Sequence, residues 1–296
     1  MTDKVIKYIK YLIPQDFKKL YRKFKRQIIR KVRLSGSDRI PLSLDELESI
    51  LINDLKIRRG DTVIVHSSFG NLNAGFTPQD AVDILKKVVG AEGNLLMPFY
   101  PTGHAYYWIQ ENNVFDVHLS KSCMGILTQV FKESEGTKVS PHPVKAVSAW
   151  GKDREFLISE HHKSLYPYDK HSPYYKTSLL PNSKTIGLGV EINSFLHTCE
   201  DLFLQDKSEI YSNQLFKGTV NYYDGVTEVD TYLHEPHKVN SILTPCEFLK
   251  KIKCPGYKTY LHKGTVYFCS NNKEALAFTE PLFLKGLSRS FISNSK

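Results

Sequence analysis

A chain of 296 residues with 41% hydrophobic and 24% charged side chains can bury a full core, which excludes wholesale disorder and leaves one large α/β domain or two smaller ones. Its five cysteines form an odd set without a CxxC pair, and no apolar run approaches the ~20 residues that span a bilayer; both facts point to a cytoplasmic protein without disulfide framework, zinc cluster or membrane span. The net charge of +9 is local: residues 1–33 hold twelve Lys and Arg against Asp3 and Asp16, and the remainder is close to neutral.

Phe17, Leu20, Tyr21, Phe24 and Ile28 recur at helical spacing among Lys and Arg, which predicts a basic amphipathic helix within residues 1–36. It reads as a peripheral anchor on the anionic inner face of a membrane or as a helix packed on its own domain. Nucleic acid is not an expected partner, because no recognition motif follows. Ser35-Gly36-Ser37 is a hinge, and residues 37–296 form the main domain, with an insertion or second lobe after about residue 200. A helix over residues 42–55, capped by Ser43 with Glu46 closing a capping box, precedes a buried strand from Asp61 to Val65. That strand ends in His66-Ser67-Ser68-Phe69-Gly70, ahead of a helix opened by Thr77-Pro78-Gln79-Asp80. Such strand ends are where α/β proteins place phosphates and substrates, although a plain capped turn has the same letters.

Asn94 to Pro98 is a second strand. The loop from Phe99 to Lys121 is rich in Tyr, His and Trp, which suits a wall that stacks on a ring or sugar. Met124 to Glu133 reads as a helix with Met124, Leu127, Val130 and Phe131 on one side, and His161-His162 as a polar surface turn. The strand Ile186 to Gly189 hands over to a segment in which His197 and Glu200 stand three residues apart. If helical, it puts an imidazole and a carboxylate on one face, the geometry of an oriented general base, though the same spacing is common on solvated helices. Val220 to Tyr232 is a hairpin around Tyr223-Asp224-Gly225, residues 264–268 are another strand, and Ser288 to Lys296 is a frayed tail. The alternation predicts an α/β fold, a layered sheet flanked by helices.

Three blocks recur in a meaningful order. The first is Val65-His66-Ser67-Ser68-Phe69 with the downstream strand Gly93-Asn94-Leu95-Leu96-Met97-Pro98; the second is Phe115-Asp116, Met124-Gly125 and His142-Pro143 through Gly151. The third is Ser172-Pro173, Gly187-Leu188-Gly189, Asn193-Ser194 and Leu196-His197-Thr198-Cys199-Glu200. From about Leu42 to Glu200, and more weakly to His237 through Tyr232-Leu233, the chain resembles the acetyl-CoA-dependent aminoglycoside 3-N-acetyltransferases.

That resemblance implies direct acetyl transfer from acetyl-CoA, the co-substrate, to an amine, with His197 as general base, Glu200 orienting its ring, and no metal. His66, Ser67, Ser68, Phe69, Ser140, His142, Lys145, Asn193 and Ser194 become candidates for holding coenzyme A, and Asp116, Tyr106, Tyr107, Trp108, Glu191 and His237 for holding the acceptor. A homodimer is compatible with it. The chain departs from the family pattern in Val139-Ser140, where an arginine is usual and Lys138 or Lys145 is the available cation, in Ala146 in place of a serine, and in Pro236 before His237. Cys199 points to a different helix face and reads as a core thiol.

No acidic lining is legible beyond Asp116, Glu111 and Glu191. With the basic N-terminal segment, this favours a neutral or anionic amino sugar of surface polysaccharide or nucleotide-sugar metabolism as acceptor, with an aminoglycoside antibiotic as the alternative. Two other classes stay open. A metal-dependent hydrolase would use His197, Glu200 and one of His66, His142, His161, His162 or His171, without an HExxH pair in support; a silent membrane-tethered binding protein is opposed by the retention of His197 and Glu200.

Overall fold

Successive residues of the first two strands enter opposite cores: Val63 and Val65 against Ile64, then Leu95 and Met97 against Leu96. Strands buried on both faces need helices on both, which is the layered α/β arrangement expected. The computed structural model describes residues 40–294, so the basic helix expected within residues 1–36 lies outside the described residues. In chain order the strands are β1 (Thr62–Ser67), β2 (Asn94–Pro98), β3 (Val114–Asp116), β4 (Lys138–Val139), β5 (Val147–Gly151), β6 (Ser183–Leu188), β7 (Phe216–Tyr222), β8 (Gly225–Thr231), β9 (Tyr257–His262) and β10 (Thr265–Asn271).

Among the described residues these strands make two sheets. The larger runs β4-β5-β2-β1-β6-β10-β9, with β2, β1 and β6 parallel at its centre and antiparallel strands on each side. The smaller runs β3-β7-β8. The helix Pro78–Val89 shows why the layers form. Thr77 and Asp80 close a capping box at its start, and Ala81, Val82, Leu85, Val88 and Val89 make one buried stripe against the sheet. Each such Val or Leu contributes about 1.5–3 kcal/mol when fully buried. The Ser43–Glu46 box likewise starts Leu44–Ser49, but the segment continues as a π-helical turn, Ile50–Asp54.

The aromatic-rich stretch after β2 is more ordered than a loop. It contains the helix Ala105–Gln110 and β3, which pairs in parallel with β7. The residues after Glu200 are divided between the sheets: the β7–β8 hairpin builds the small one, and the β9–β10 hairpin returns to the large one. The latter turns at Lys263 and Gly264, both at positive φ (46° and 72°), which lets a two-residue turn follow the strand twist. The chain from Leu42 on forms one compact unit. The tail read as frayed is instead the helix Arg289–Asn294, with Arg289 buried.

The parallel neighbours β1 and β6 stay in register to Ser67 opposite Leu188, so His66-Ser67-Ser68 and Gly187-Leu188-Gly189 emerge side by side. Gly187 has no room for a side chain: a Cβ there would lie 2.2 Å from the Phe268 ring and 2.4 Å from the Val190 carbonyl. Carboxyl ends of parallel strands are where open α/β sheets bind ligands.

Candidate active site

The helix Phe195–Phe203 leaves β6 beside these strand ends, and its start is tied down twice. Asn193 Oδ1 accepts from the Phe195 N–H at 3.0 Å, and His66 Nε2 accepts from the Ser194 N–H at 3.2 Å. Phe195, Leu196 and Cys199 are buried in the core, Cys199 as a packed thiol. His197 and Glu200, one turn apart, meet on the adjoining face.

His197 Nδ1 lies 2.7 Å from Glu200 Oε2. Arg289 Nε donates to Glu200 Oε1 at 2.5 Å, its Nη2 to Oε2 at 3.0 Å, and its Nη1 to the Leu243 carbonyl at 2.7 Å. Burial pushes the Glu200 carboxyl up, but Arg289 and His197 outweigh it and hold the group well below the ordinary carboxylate range. Glu200 is therefore an anion that can only accept, so Nδ1 carries the His197 proton and Nε2 keeps its lone pair. Burial lowers the His197 pKa from its ordinary 6.5 against the pull of Glu200, which leaves a neutral imidazole at pH 7. With 16% of that side chain exposed and no protein partner on Nε2 among the described residues, the lone pair is open to a reactant.

The rings that flank His197 are Tyr168 at 4.9 Å and His234 at 4.7 Å between centroids. Asp201 is shifted in the direction opposite to Glu200. The Tyr211 hydroxyl donates to its Oδ1 at 2.6 Å and the Tyr168 N–H to its Oδ2 at 2.9 Å, yet burial pushes the carboxyl well above its ordinary value. Among the described residues, His234 Nε2 is buried without a partner. Donor atoms of His197, Glu200 and His234 lie within 4.8 Å of one another, a set that could hold a metal ion. Both Glu200 oxygens already accept from the Arg289 guanidinium, however, and a second cation would sit against that fixed charge. The set suits proton handling better.

Several candidates for coenzyme A lie behind the site rather than at it. His66 is buried, its Nε2 is spent on Ser194, and burial lowers its pKa to about 3. Ser140 Oγ accepts from the Val147 N–H at 2.8 Å and bonds His161 Nδ1 at 2.7 Å, while His161 Nε2–H donates to the Pro167 carbonyl at 3.0 Å. His161 is thus no surface residue. His142 Nδ1 accepts from the Val144 and Lys145 N–H groups at 3.3 and 3.1 Å, which shapes the turn after Pro141. Ser67, Ser68 and Phe69 stay partly exposed at the strand ends, and Asn193 Nδ2 is a buried donor without a partner among the described residues. Lys145 extends over the Tyr100 ring, its Nζ 4.4 Å from the centroid. Lys138 pairs with Glu155 at 2.8 Å, and Ala146 is buried.

The acceptor candidates are mostly engaged. Asp116 Oδ1 accepts from the His118 and Leu119 N–H groups at 2.8 and 2.9 Å, and its Oδ2 from Asn221 Nδ2 at 2.6 Å, so it braces the small sheet. Glu191 pairs with Lys250 and accepts from the Tyr257 hydroxyl at 3.4 Å. Tyr106 packs edge-on to Phe216 with centroids 5.4 Å apart, Trp108 packs into the adjoining core, and Tyr107 and His237 are exposed. Arg289, His234 and Tyr168 were not legible as site residues: only the buried charge on Glu200, a tertiary fact, calls for the arginine.

The family described as aminoglycoside 3-N-acetyltransferase matches residues 64–265. Among solved structures, the chain is similar to aminoglycoside acetyltransferase AAC(3)-Xa, with 18% identity over 90% of this chain and 99% of that one and a TM-score of 0.70. AAC-IIIb in a binary complex with CoASH aligns at 16% identity over 82% of this chain and 97% of that one, with a TM-score of 0.65. AAC-VIa bound to sisomicin aligns at 20% identity over 83% and 99%, also with a TM-score of 0.65. At these identities the structural likeness is one of fold. Among the described residues no helix is long and apolar enough to cross a membrane.

Proposed function

The chain belongs to the aminoglycoside 3-N-acetyltransferase family, an acetyl-CoA-dependent class of N-acetyltransferase, and from that premise we propose that it moves the acetyl group directly to an amine of an amino sugar, with His197 as general base. The observation that carries this is the His197 Nδ1–Glu200 Oε2 contact of 2.7 Å, which leaves Nε2 free with its lone pair. An ammonium must lose a proton before it can attack a thioester, and a neutral imidazole held in one tautomer is suited to take it. Glu200 steadies the imidazolium that forms, and Arg289 keeps Glu200 ionised. As the tetrahedral centre collapses, the proton held on Nε2 passes to the departing thiolate, and the second proton of the attacking nitrogen is lost to solvent as the neutral amide forms.

Acetyl-CoA is the co-substrate. Ser67, Ser68 and Phe69, half open beside Gly189, suit its approach, and Asn193 Nδ2, unpaired one turn before His197, is a donor available to a carbonyl oxygen. For the acceptor, the family name and the sisomicin-bound relative support an aminoglycoside antibiotic over the polysaccharide or nucleotide-sugar amine. The latter is supported by charge alone: Asp116, Glu191 and Glu200 are all committed to internal partners, and a polycation needs free carboxylates.

The test is release of coenzyme A thiol from acetyl-CoA with a panel of kanamycin-like amines and amine-bearing sugar nucleotides. Thiol release dependent on an added amine is expected. Turnover with kanamycin-like amines alone would sink the polysaccharide reading, and no release with any amine would sink the transferase reading of this chain.

A further inference from the structure

Among the described residues, Lys145 is a site cation without a counter-ion. Its N–H is held by His142 Nδ1 at 3.1 Å, so the backbone position is fixed, and its Nζ lies over the face of Tyr100, 4.4 Å from the centroid. The Tyr100 hydroxyl bonds the hydroxyls of Tyr168 at 3.2 Å and Tyr174 at 2.8 Å, and the Tyr168 ring flanks His197. Two other lysines of low exposure are paired: Lys176 with Glu160 at 2.8 Å and Lys184 with Asp61 at 2.5 Å. Lys145 makes no ion pair or hydrogen bond through Nζ among the described residues. The Tyr100 face returns about 0.5–2 kcal/mol, but it accepts none of the three ammonium protons in a full hydrogen bond.

Resting on the acetyl-transfer reading above, we propose that Lys145 is the counter-ion for an oxyanion substituent, a phosphate or a carboxylate, that the acceptor carries near its amine. The occupant is argued from charge and distance. After burial, the Lys145 ammonium is among the smaller influences that push His197 and His234 towards their neutral forms, so its charge is felt at the reacting imidazole. The thioester reacting there is uncharged, and the coenzyme A phosphates lie a whole pantetheine arm from its sulfur. A polycationic acceptor would bring like charge against Lys145, while an oxyanion supplies the missing partner. Burial lowers the ammonium pKa to about 8, which leaves it largely a cation at pH 7 and ready to pair.

Glucosamine 6-phosphate and glucosamine are the probes, since they differ only in the anion. With the full chain, the ratio of kcat/KM for the phosphorylated over the plain sugar is expected to be about tenfold or more, the scale of one charge-assisted contact. Lys145→Gln should bring that ratio to about one, and Lys145→Arg should restore most of it. Three results overturn the inference: a wild-type ratio near one, a Lys145→Gln loss shared equally by both sugars, or a loss seen as a raised KM for acetyl-CoA with the ratio unchanged. Calorimetric binding of the two sugars to wild type and Lys145→Gln separates this from the parent reading. If no thiol is released with either sugar, tighter binding of the phosphorylated one that is lost in Lys145→Gln still upholds the anion subsite while the transfer reading fails; equal binding overturns the subsite.

Discussion

Two histidines from neighbouring blocks of this chain, His197 and His142, have like chemistry and opposite uses. His142 is fully buried; its Nδ1 accepts from two backbone N–H groups, its Nε2–H reaches Thr231 Oγ1 at 3.5 Å, and its ring lies 4.7 Å from that of His161. His197 has one nitrogen fixed by a carboxylate that an arginine keeps ionised, and the other left free. The difference teaches that a site histidine is told from a structural one by an unspent nitrogen on an exposed edge. Burial lowers the pKa of both and so does not separate them.

The sharpest way to break the comparison is to exchange roles by deletion. His197→Ala should lower kcat by about 10²–10⁴, the worth of a general base, with acetyl-CoA binding by calorimetry largely retained. Unchanged turnover would remove His197 from the chemistry. Next in size, Arg289→Met should leave Glu200 buried and unpaired, at about 3–5 kcal/mol of stability measured by urea unfolding, with activity falling alongside; a loss under 1 kcal/mol would show that Glu200 does not rely on it. His161→Ala, in the other region, should cost about 1–3 kcal/mol by stranding Ser140 Oγ and the Pro167 carbonyl, seen as a lower melting temperature. A variant as stable as wild type would make that network dispensable.

The smallest effect is on pH. His66 and His161 fall to about 3 in the folded chain because burial disfavours the cation, whereas the unfolded chain titrates near the ordinary 6.5. The unfolded state then binds more protons between these values. Their contribution is full above about 6.5 and is lost as pH falls towards 3. Thermal unfolding across that window should show a steady decline, and a flat profile would contradict the neutral buried imidazoles.

The sequence carried the local devices well. The Ser43 and Thr77 caps, the Asn94–Pro98 strand and the Tyr223-Asp224 hairpin rest on rules that span a few residues, and each recurs in the fold. The pairing of His197 with Glu200 was legible for the same reason. What escaped depends on distant segments. Arg289 lies 89 positions from Glu200 in a short polar tail that nothing local marks as ordered. His161, in a His-His-Lys run, looks solvated until Ser140 and Pro167 are brought to its two nitrogens. Asp116 reads as a substrate carboxylate until Asn221, on a strand from the far side of the chain, takes it.

The central claim, a neutral His197 held in the tautomer that frees Nε2, is tested most directly by following the imidazole nitrogen resonances of that residue across pH. Nδ1 protonated, Nε2 bare at pH 7, and a titration midpoint below the ordinary 6.5 is the expected result. A proton on Nε2 at pH 7, whether as the other tautomer or as the imidazolium, would contradict it, since no lone pair would then face the amine.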